Sequence, residues 1–393
     1  MDSEIIVRIN KRYIKKYKEG YPLIFKEAVN NIHDLKGEGA ILKLVDDKNK
    51  FVARGYFGRQ NKGYGWVLTR KDEAIDRKFF QNKIITALNK RAPFYFDEDT
   101  TAYRVFNGEG DGIGGFTIDN YDGYYLINWY SKGIYRFKDI IVEILSRMVV
   151  YKGIYQKKRF DDGIEEDDFV MGEKGEFPII VRESGVNFAI YLDEGDMTGV
   201  FLDQREVRKR IRDKYSKGKT VLNTFSYTGA FSVFAALGDA KSTTSVDLAN
   251  RSLEKTTEQF NINGLDLDTN HIVVEDVFNY FKYAAKKEMK FDLVILDPPS
   301  FAKSKKNIFS ADRDYKDLLK EVIDITEDGG VIAASTNCAS FNMDKFKKFI
   351  DTAFVEKGKR YRILEEHSLP VDFATIEEFR EGNYLKVVFI SVS

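Results

Sequence analysis

The chain has 393 residues, with 62 Lys+Arg against 62 Asp+Glu and a formal charge of +0, which excludes a uniform polycation that coats nucleic acid. At roughly 100–200 residues per domain the length predicts two or three domains, and a hydrophobic share of 43% with only 6 prolines argues for packed cores rather than long disorder. One cysteine makes neither an intramolecular disulfide nor a thiolate metal cluster, which predicts a reducing compartment.

Met1 to Asn10 carries acids and no apolar h-region, so no signal peptide is expected. Nowhere do 18 uncharged apolar residues run together, so no membrane association is expected and the protein is read as cytoplasmic. Residues 4–9 (EIIVRI) have the pattern of a strand, and the Lys-rich KRYIKKYKEG follows. A strand pair is readable in AILKLVD and FVARGYFG, joined by the turn Asp46-Asp47-Lys48-Asn49. With the glycines up to Gly65 this predicts a small β-rich module ending near residue 70. Helical spacing from Glu73 to Asn89 opens a second unit, in which strands separated by Gly-Asp turns and the helix FKDIIVEILSRMV read as α+β. Six of the eight residues from Asp161 to Asp168 are acidic, the mark of a solvated loop. PIIVRESGVNFAIYLD then reads as a hairpin. Beyond residue 190 the strands VLNTF, TTSVD, HIVVED, FDLVILD and GGVIAAST alternate with helices, which predicts a parallel sheet covered on both faces.

Such sheets bind ligands at the carboxyl ends of their strands. The first strand ends in Asn223-Thr224-Phe225-Ser226-Tyr227-Thr228-Gly229, where a helix opens; a dinucleotide fingerprint would need G-x-G-x-x-G, which is not there. The second ends at Asp247, whose carboxylate suits two ribose hydroxyls, and the third at Asp276-Val277, placed for an adenine. The fourth ends in Asp297-Pro298-Pro299-Ser300-Phe301, where two prolines stiffen the chain beside a carboxylate. Taken singly, an Asp closing a strand is more often a cap or turn residue; three such ends and the Gly229 turn, in order on one sheet, are far more specific.

That order resembles a Rossmann-like class I S-adenosylmethionine-dependent methyltransferase, a parallel sheet with a terminal antiparallel strand. The segments YRVFNGEGDGIGGFTID (103–119), TGVFLDQR (198–205), VLNTFSYTGAFSVFA (221–235), SVD (245–247) and FDLVILDPPSF (291–301) resemble the ribosomal RNA methyltransferases with an N-terminal PUA domain, the family of the bacterial 23S rRNA cytosine-C5 methyltransferase. The resemblance implies a PUA-like RNA-binding domain at 1–72, a central α/β RNA-binding domain at 73–185 and the methyltransferase at 186–393. It further implies that Phe225, Tyr227, Thr228 and Gly229 surround the amino-acid part of S-adenosylmethionine, that Asp247 holds the ribose, and that Asp276 and Val277 hold the adenine. Gln204 and Arg205 sit in its cofactor-side turn, where Arg205 would pair with the cofactor carboxylate; the plainer reading of an Arg opening a basic helix is a surface residue. Asp297, Pro298 and Pro299 would orient the base and Phe301 would stack on it, with S-adenosylhomocysteine as product.

Two target atoms compete. Cytosine C5 is a poor nucleophile and requires a thiolate at C6; Cys338, in STNC at the end of GGVIAAST, is placed for that role, against the plainer reading of a small buried hydrophobe. Guanine N7 already presents a lone pair and needs only alignment. LGDAKSTTSVD, DPPSFAKSKK and LPVDFA (369–374) resemble the guanine-N7 enzymes of 23S rRNA, and where the cytosine enzymes have DPPKF and a His-Pro pair this chain has DPPSF and Asp372-Phe373. Eight of the fifteen residues from Arg205 to Lys219 are Lys or Arg; these, Lys303, Lys305 and Lys306, and the Lys11–Lys18 cluster outline an expected RNA path, against the plainer reading of solvated helix faces. A small-molecule methyltransferase, a dehydrogenase and a non-catalytic ribosome assembly factor are the other classes weighed. His33, His271 and His367 are too dispersed for a metal site, and nothing in the pattern sets a homodimer apart from a monomer.

Overall fold

The computed structural model describes residues 4–61, 63–164, 167–195, 197–303 and 308–393, so Lys305, Lys306, Glu165 and Glu166 lie outside the described residues. The chain divides into two compact units, one built from 1–181, 190–198 and 371–382, the other from 182–189, 199–370 and 383–393.

The first unit holds two five-stranded sheets. In the first, the strands run in the order Ile5–Arg8, Ile41–Val45, Phe51–Phe57, Gly63–Thr69, Leu23–Phe25. The glycine-rich stretch read as the end of the module is itself a strand. A Cβ on Gly55 would meet Trp66 O at 2.2 Å and one on Gly65 would meet Tyr56 O at 1.9 Å, so these glycines permit close backbone approach rather than turns. The second sheet runs Phe169–Gly172, Gly153–Lys158, Tyr124–Trp129, Phe116–Tyr121, Ala102–Asn107, covered by the helices Arg77–Lys90 and Lys138–Met148. One apolar cluster, reaching from Val7 to Ile154 and including the fully buried Trp129, serves both sheets. The LPVDFA segment has a structural place in this unit. Asp372 Oδ2 accepts from Arg104 N (2.9 Å), and Asp372 O accepts from Arg91, whose buried guanidinium also forms a two-pronged pair with Asp111 (2.9 and 2.7 Å).

The second unit is a seven-stranded sheet in the order Asn270–Val274, Ser242–Asp247, Thr220–Thr224, Phe291–Leu296, Thr326–Thr336, Lys386–Val392, Tyr361–His367. The first five strands are parallel, and Lys386–Val392 runs against both of its neighbours. The strand pattern read from the sequence stops at Thr336. KVVFISV is a short continuous apolar run that periodicity cannot assign, yet Val387 to Ile390 are completely buried in the sheet. Helices Ala230–Leu237, Arg251–Asn261, Val277–Lys286, Ala311–Asp324 and Met343–Lys357 supply its layers. Reversal of strand order beside Thr220–Thr224 creates a crevice at the strands' carboxyl ends.

Candidate active site

A cavity of about 350 Å³ opens at that crevice. Its wall carries Gln204, Phe225, Tyr227, Thr228, Asp247, Asp276, Val277, Asp297, Pro298 and Pro299, ten of the thirteen residues singled out from the sequence. Arg205, Gly229 and Cys338 are not on it, and neither is Phe301, expected to stack on the base.

Each wall residue is positioned by local chemistry. The turn after Thr220–Thr224 puts Phe225 (φ 54°), Tyr227 (φ 53°) and Gly229 (φ 74°) in the left-handed region. For the two aromatic residues this conformation costs energy and persists because surrounding bonds hold it. Asp247 Oδ2 accepts from Tyr227 N (2.8 Å), Asp247 Oδ1 accepts from Ala249 N (2.9 Å), and Thr228 Oγ1 donates to Gly199 O (2.7 Å). Asp247 thus organises its neighbours while spare lone pairs on both oxygens remain. Asp276 caps the helix Val277–Lys286 by accepting from Phe278 N (2.9 Å), and that cap fixes it on the wall. Gly229 serves packing: a Cβ there would lie 2.4 Å from Thr256 Cγ2.

Asp297 is held from behind. Gln204 Nε2 donates to Asp297 Oδ2 (3.1 Å) and to Ser335 Oγ (2.9 Å). Burial pushes the Asp297 carboxyl up to about 6, opposed by hydrogen bonds from Ser335 and Gln204 and reinforced by the like charge of Asp203. Ser300, where a lysine stands in the cytosine enzymes' DPPKF, donates to Asn337 Oδ1 and ties the DPPS turn to the STNC turn. Phe301, at the mouth of that turn, is 62% exposed.

Cys338 is not on the wall. It is buried in the apolar cluster that also holds Phe341, Phe346 and Ala334, with Sγ 3.2 Å from Ser340 Oγ. Its carbonyl accepts from Lys386 Nζ (2.9 Å), whose ammonium is pushed down to about 8 by burial. Arg205 is buried off the wall, with Glu206 Oε1 at 3.7 Å. The arginine on the wall is Arg208, three residues later, paired to Glu183. Sequence reasoning missed it because it stands in a basic run that resembles a solvated face, and its partner lies far back in the chain, at the end of the strand Ile179–Glu183.

Among the described residues the wall carries four carboxylates, Asp203, Asp247, Asp276 and Asp297, against the single guanidinium of Arg208. That balance suits a cation and repels a pyrophosphate, so the donor set fits the sulfonium and ammonium of S-adenosylmethionine and not a dinucleotide.

Comparison with known proteins agrees. Residues 150–376 match the family model described as S-adenosylmethionine-dependent methyltransferase, and residues 7–70 match that of a PUA-like domain. The Bacillus subtilis protein YwbD, provisionally named a ribosomal RNA large subunit methyltransferase, is 60% identical over 98% of this chain and 99% of its own. Ribosomal RNA large subunit methyltransferase I of Aeromonas salmonicida is 30% identical over 93% of this chain and 94% of its own. SMU.776, a provisionally named methyltransferase solved in complex with SAH, superposes with a TM-score of 0.91 at 37% identity, covering 99% of both chains.

Proposed function

The chain belongs to the S-adenosylmethionine-dependent methyltransferases and carries a PUA-like domain, and on that premise we propose that it methylates a guanine of large-subunit (23S) ribosomal RNA at N7, without a covalent enzyme–RNA intermediate. The ribosomal substrate is supported by the names of YwbD and of the Aeromonas enzyme, and it implies action in the cytoplasm. In this reading 1–72 and 73–185 engage RNA, and the sheet of 186–393 performs the transfer.

The observation that carries the choice of atom is the contrast between Asp297, on the cavity wall, and Cys338, which is buried and not on that wall. A C5 mechanism needs a thiolate over the base and a group to take the C5 proton. S-adenosylmethionine supplies an electrophilic methyl group, which the N7 lone pair accepts with no proton to remove. The purine gains the positive charge that the sulfonium loses. Asp297, oriented by Gln204 and Ser335, stands where a carboxylate stabilises that charge as it develops. Exposed Phe301 offers a face for the extruded base. Asp247 takes the ribose hydroxyls, Asp276 and Val277 the adenine, and the turn at Phe225, Tyr227 and Thr228 the amino-acid portion.

The test is transfer of labelled methyl groups to large-subunit rRNA that lacks the modification, followed by nucleoside analysis. The expected product is 7-methylguanosine, and Cys338→Ala should retain activity within about threefold. Label in 5-methylcytidine, or loss of activity in Cys338→Ala with the fold intact, would overturn the N7 assignment. No label in any RNA base would overturn the ribosomal reading as well.

A further inference from the structure

We propose that Arg208 reads the free carboxylate of the cofactor's amino-acid end, with Glu183 as the residue that fixes its guanidinium. The inference rests on assigning the cavity to S-adenosylmethionine. Arg208 and Glu183 have side chains only 2% and 1% exposed. Arg208 Nε donates to Glu183 Oε1 (2.7 Å), and Nη2 donates to Glu183 Oε2 (2.7 Å) and to Phe201 O (2.7 Å). Three bonds lock the guanidinium plane and leave one nitrogen over. Among the described residues Nη1 has no hydrogen-bond partner, and Arg208 lines the cavity. A guanidinium nitrogen left unpaired on a cavity wall selects an anionic acceptor.

Its location selects which acceptor. Asp276 and Asp247 close the third and second strands, and Asp297 closes the fourth, on the far side of the Phe225–Gly229 turn. A nucleoside held by Asp247 and Asp276 therefore directs its tail toward Asp297. Arg208 stands at that end, acting electrostatically on Asp297 with its Cζ 5.7 Å from the Phe231 ring. The carboxylates around the cavity accommodate the ammonium and sulfonium; among the described residues of the wall, Arg208 is the cationic partner for the carboxylate of the tail. Glu183 neutralises Arg208 in the absence of a ligand, so the buried cation carries little penalty between turnovers.

Calorimetry of S-adenosylmethionine against decarboxylated S-adenosylmethionine, which keeps the ammonium and sulfonium, isolates the contact. Wild-type protein should prefer the carboxylated compound by roughly 10–100-fold, the worth of a hydrogen bond to a charged group. Arg208→Lys, which lacks the fork to serve Glu183 and a ligand together, should bring that preference to within about threefold while binding of the decarboxylated compound persists. Equal weakening of both ligands, or an unchanged preference, overturns the role of Arg208. Should the variant fail to fold, wild-type crystals with S-adenosylhomocysteine decide: a carboxylate within hydrogen-bond reach of Nη1 supports the assignment, and one held elsewhere overturns it. Wild-type protein that binds neither compound instead overturns the cofactor assignment, a separate outcome.

Discussion

At the scale of the residue, Asp297 sets activity and stability against each other. Its carboxyl is pushed up to about 6 by burial, so between the ordinary carboxylate range and pH 6 the native state holds a proton that the unfolded chain has released. Native stability therefore falls as pH rises through that window, and the cost of the buried charge stays in full above it. On the proposed N7 chemistry, stabilising a methylated, cationic purine needs the ionised form, so kcat should climb as pH rises through about 6 and level off beyond it. Asp297→Asn should lower kcat by roughly 10²–10³-fold, while its melting temperature at pH 7.5 equals or exceeds that of the wild type. A flat rate profile between pH 5 and 7, or a destabilised Asn variant, would contradict this account. Cys338 offers the converse lesson. Its place after the strand GGVIAAST was visible in the sequence, but its burial in a cluster with Phe341 and Phe346, and the Lys386 bond to its carbonyl, depend on residues outside that strand.

At the scale of the element, the turn joining Thr220–Thr224 to Ala230–Leu237 packs three left-handed residues into five positions. Gly229 bears two constraints at once, a φ of +74° and the closeness of Thr256 Cγ2 to where its Cβ would be. Gly229→Ala should cost about 1–2 kcal/mol for the backbone conformation and about 1–3 kcal/mol for the overlap. Adding Thr256→Ser removes the methyl group and should recover only the second part, measured by urea unfolding of both variants. A Gly229→Ala variant within about 0.5 kcal/mol of wild type would show that the helix Arg251–Asn261 is free to shift. The glycine, the three Asp-closed strands and the Pro-Pro turn were legible in the sequence because each ends an apolar run, where chain geometry and solvent exposure change together. The role of Gly229 was not, since a glycine does not reveal whether a ligand or a neighbouring helix is the close approach. Arg208 was hidden for a related reason: one charge in a basic helix is indistinguishable from the next until Glu183, on the strand Ile179–Glu183, pairs with it.

At the scale of the whole molecule, the neutral sum of 62 and 62 resolves into local balances that redraw the expected RNA path. Along 205–219, Arg205 and Arg208 are buried, Arg210 and Lys214 converge on Glu365, Arg212 pairs with Asp213, and Lys217 and Lys219 lie 3.7 and 3.5 Å from Asp239 and Asp292. Glu365 answers for several of them, its carboxyl held far below the usual range by Arg210 first and by Lys214, His367 and Tyr215. Of the eight cations in that run, Lys209 alone is exposed without an ion pair among the described residues. The helix Lys11–Glu19 is different. Lys11, Arg12 and Lys18 are exposed, Lys15 meets only Glu19, at 3.6 Å, among the described residues, and Tyr13 lies among them beneath Arg12. Cations without internal partners are the ones that release counterions from phosphates, and removing one such cation from a phosphate should flatten the dependence of log K on log salt by about 0.7–0.9. Lys11→Glu combined with Lys15→Glu and Lys18→Glu should therefore weaken rRNA binding at least tenfold at about 100 mM salt and reduce the slope by about 2. Lys209→Glu with Lys217→Glu should change affinity less than about threefold, because one of those charges already has a carboxylate partner. Both variants should bind S-adenosylhomocysteine as the wild type does, which confines the effect to RNA. If the second pair flattened the salt dependence and the first triple did not, the RNA-binding face would belong to the basic run at 205–219, and the ion pairs there would have to open when RNA binds.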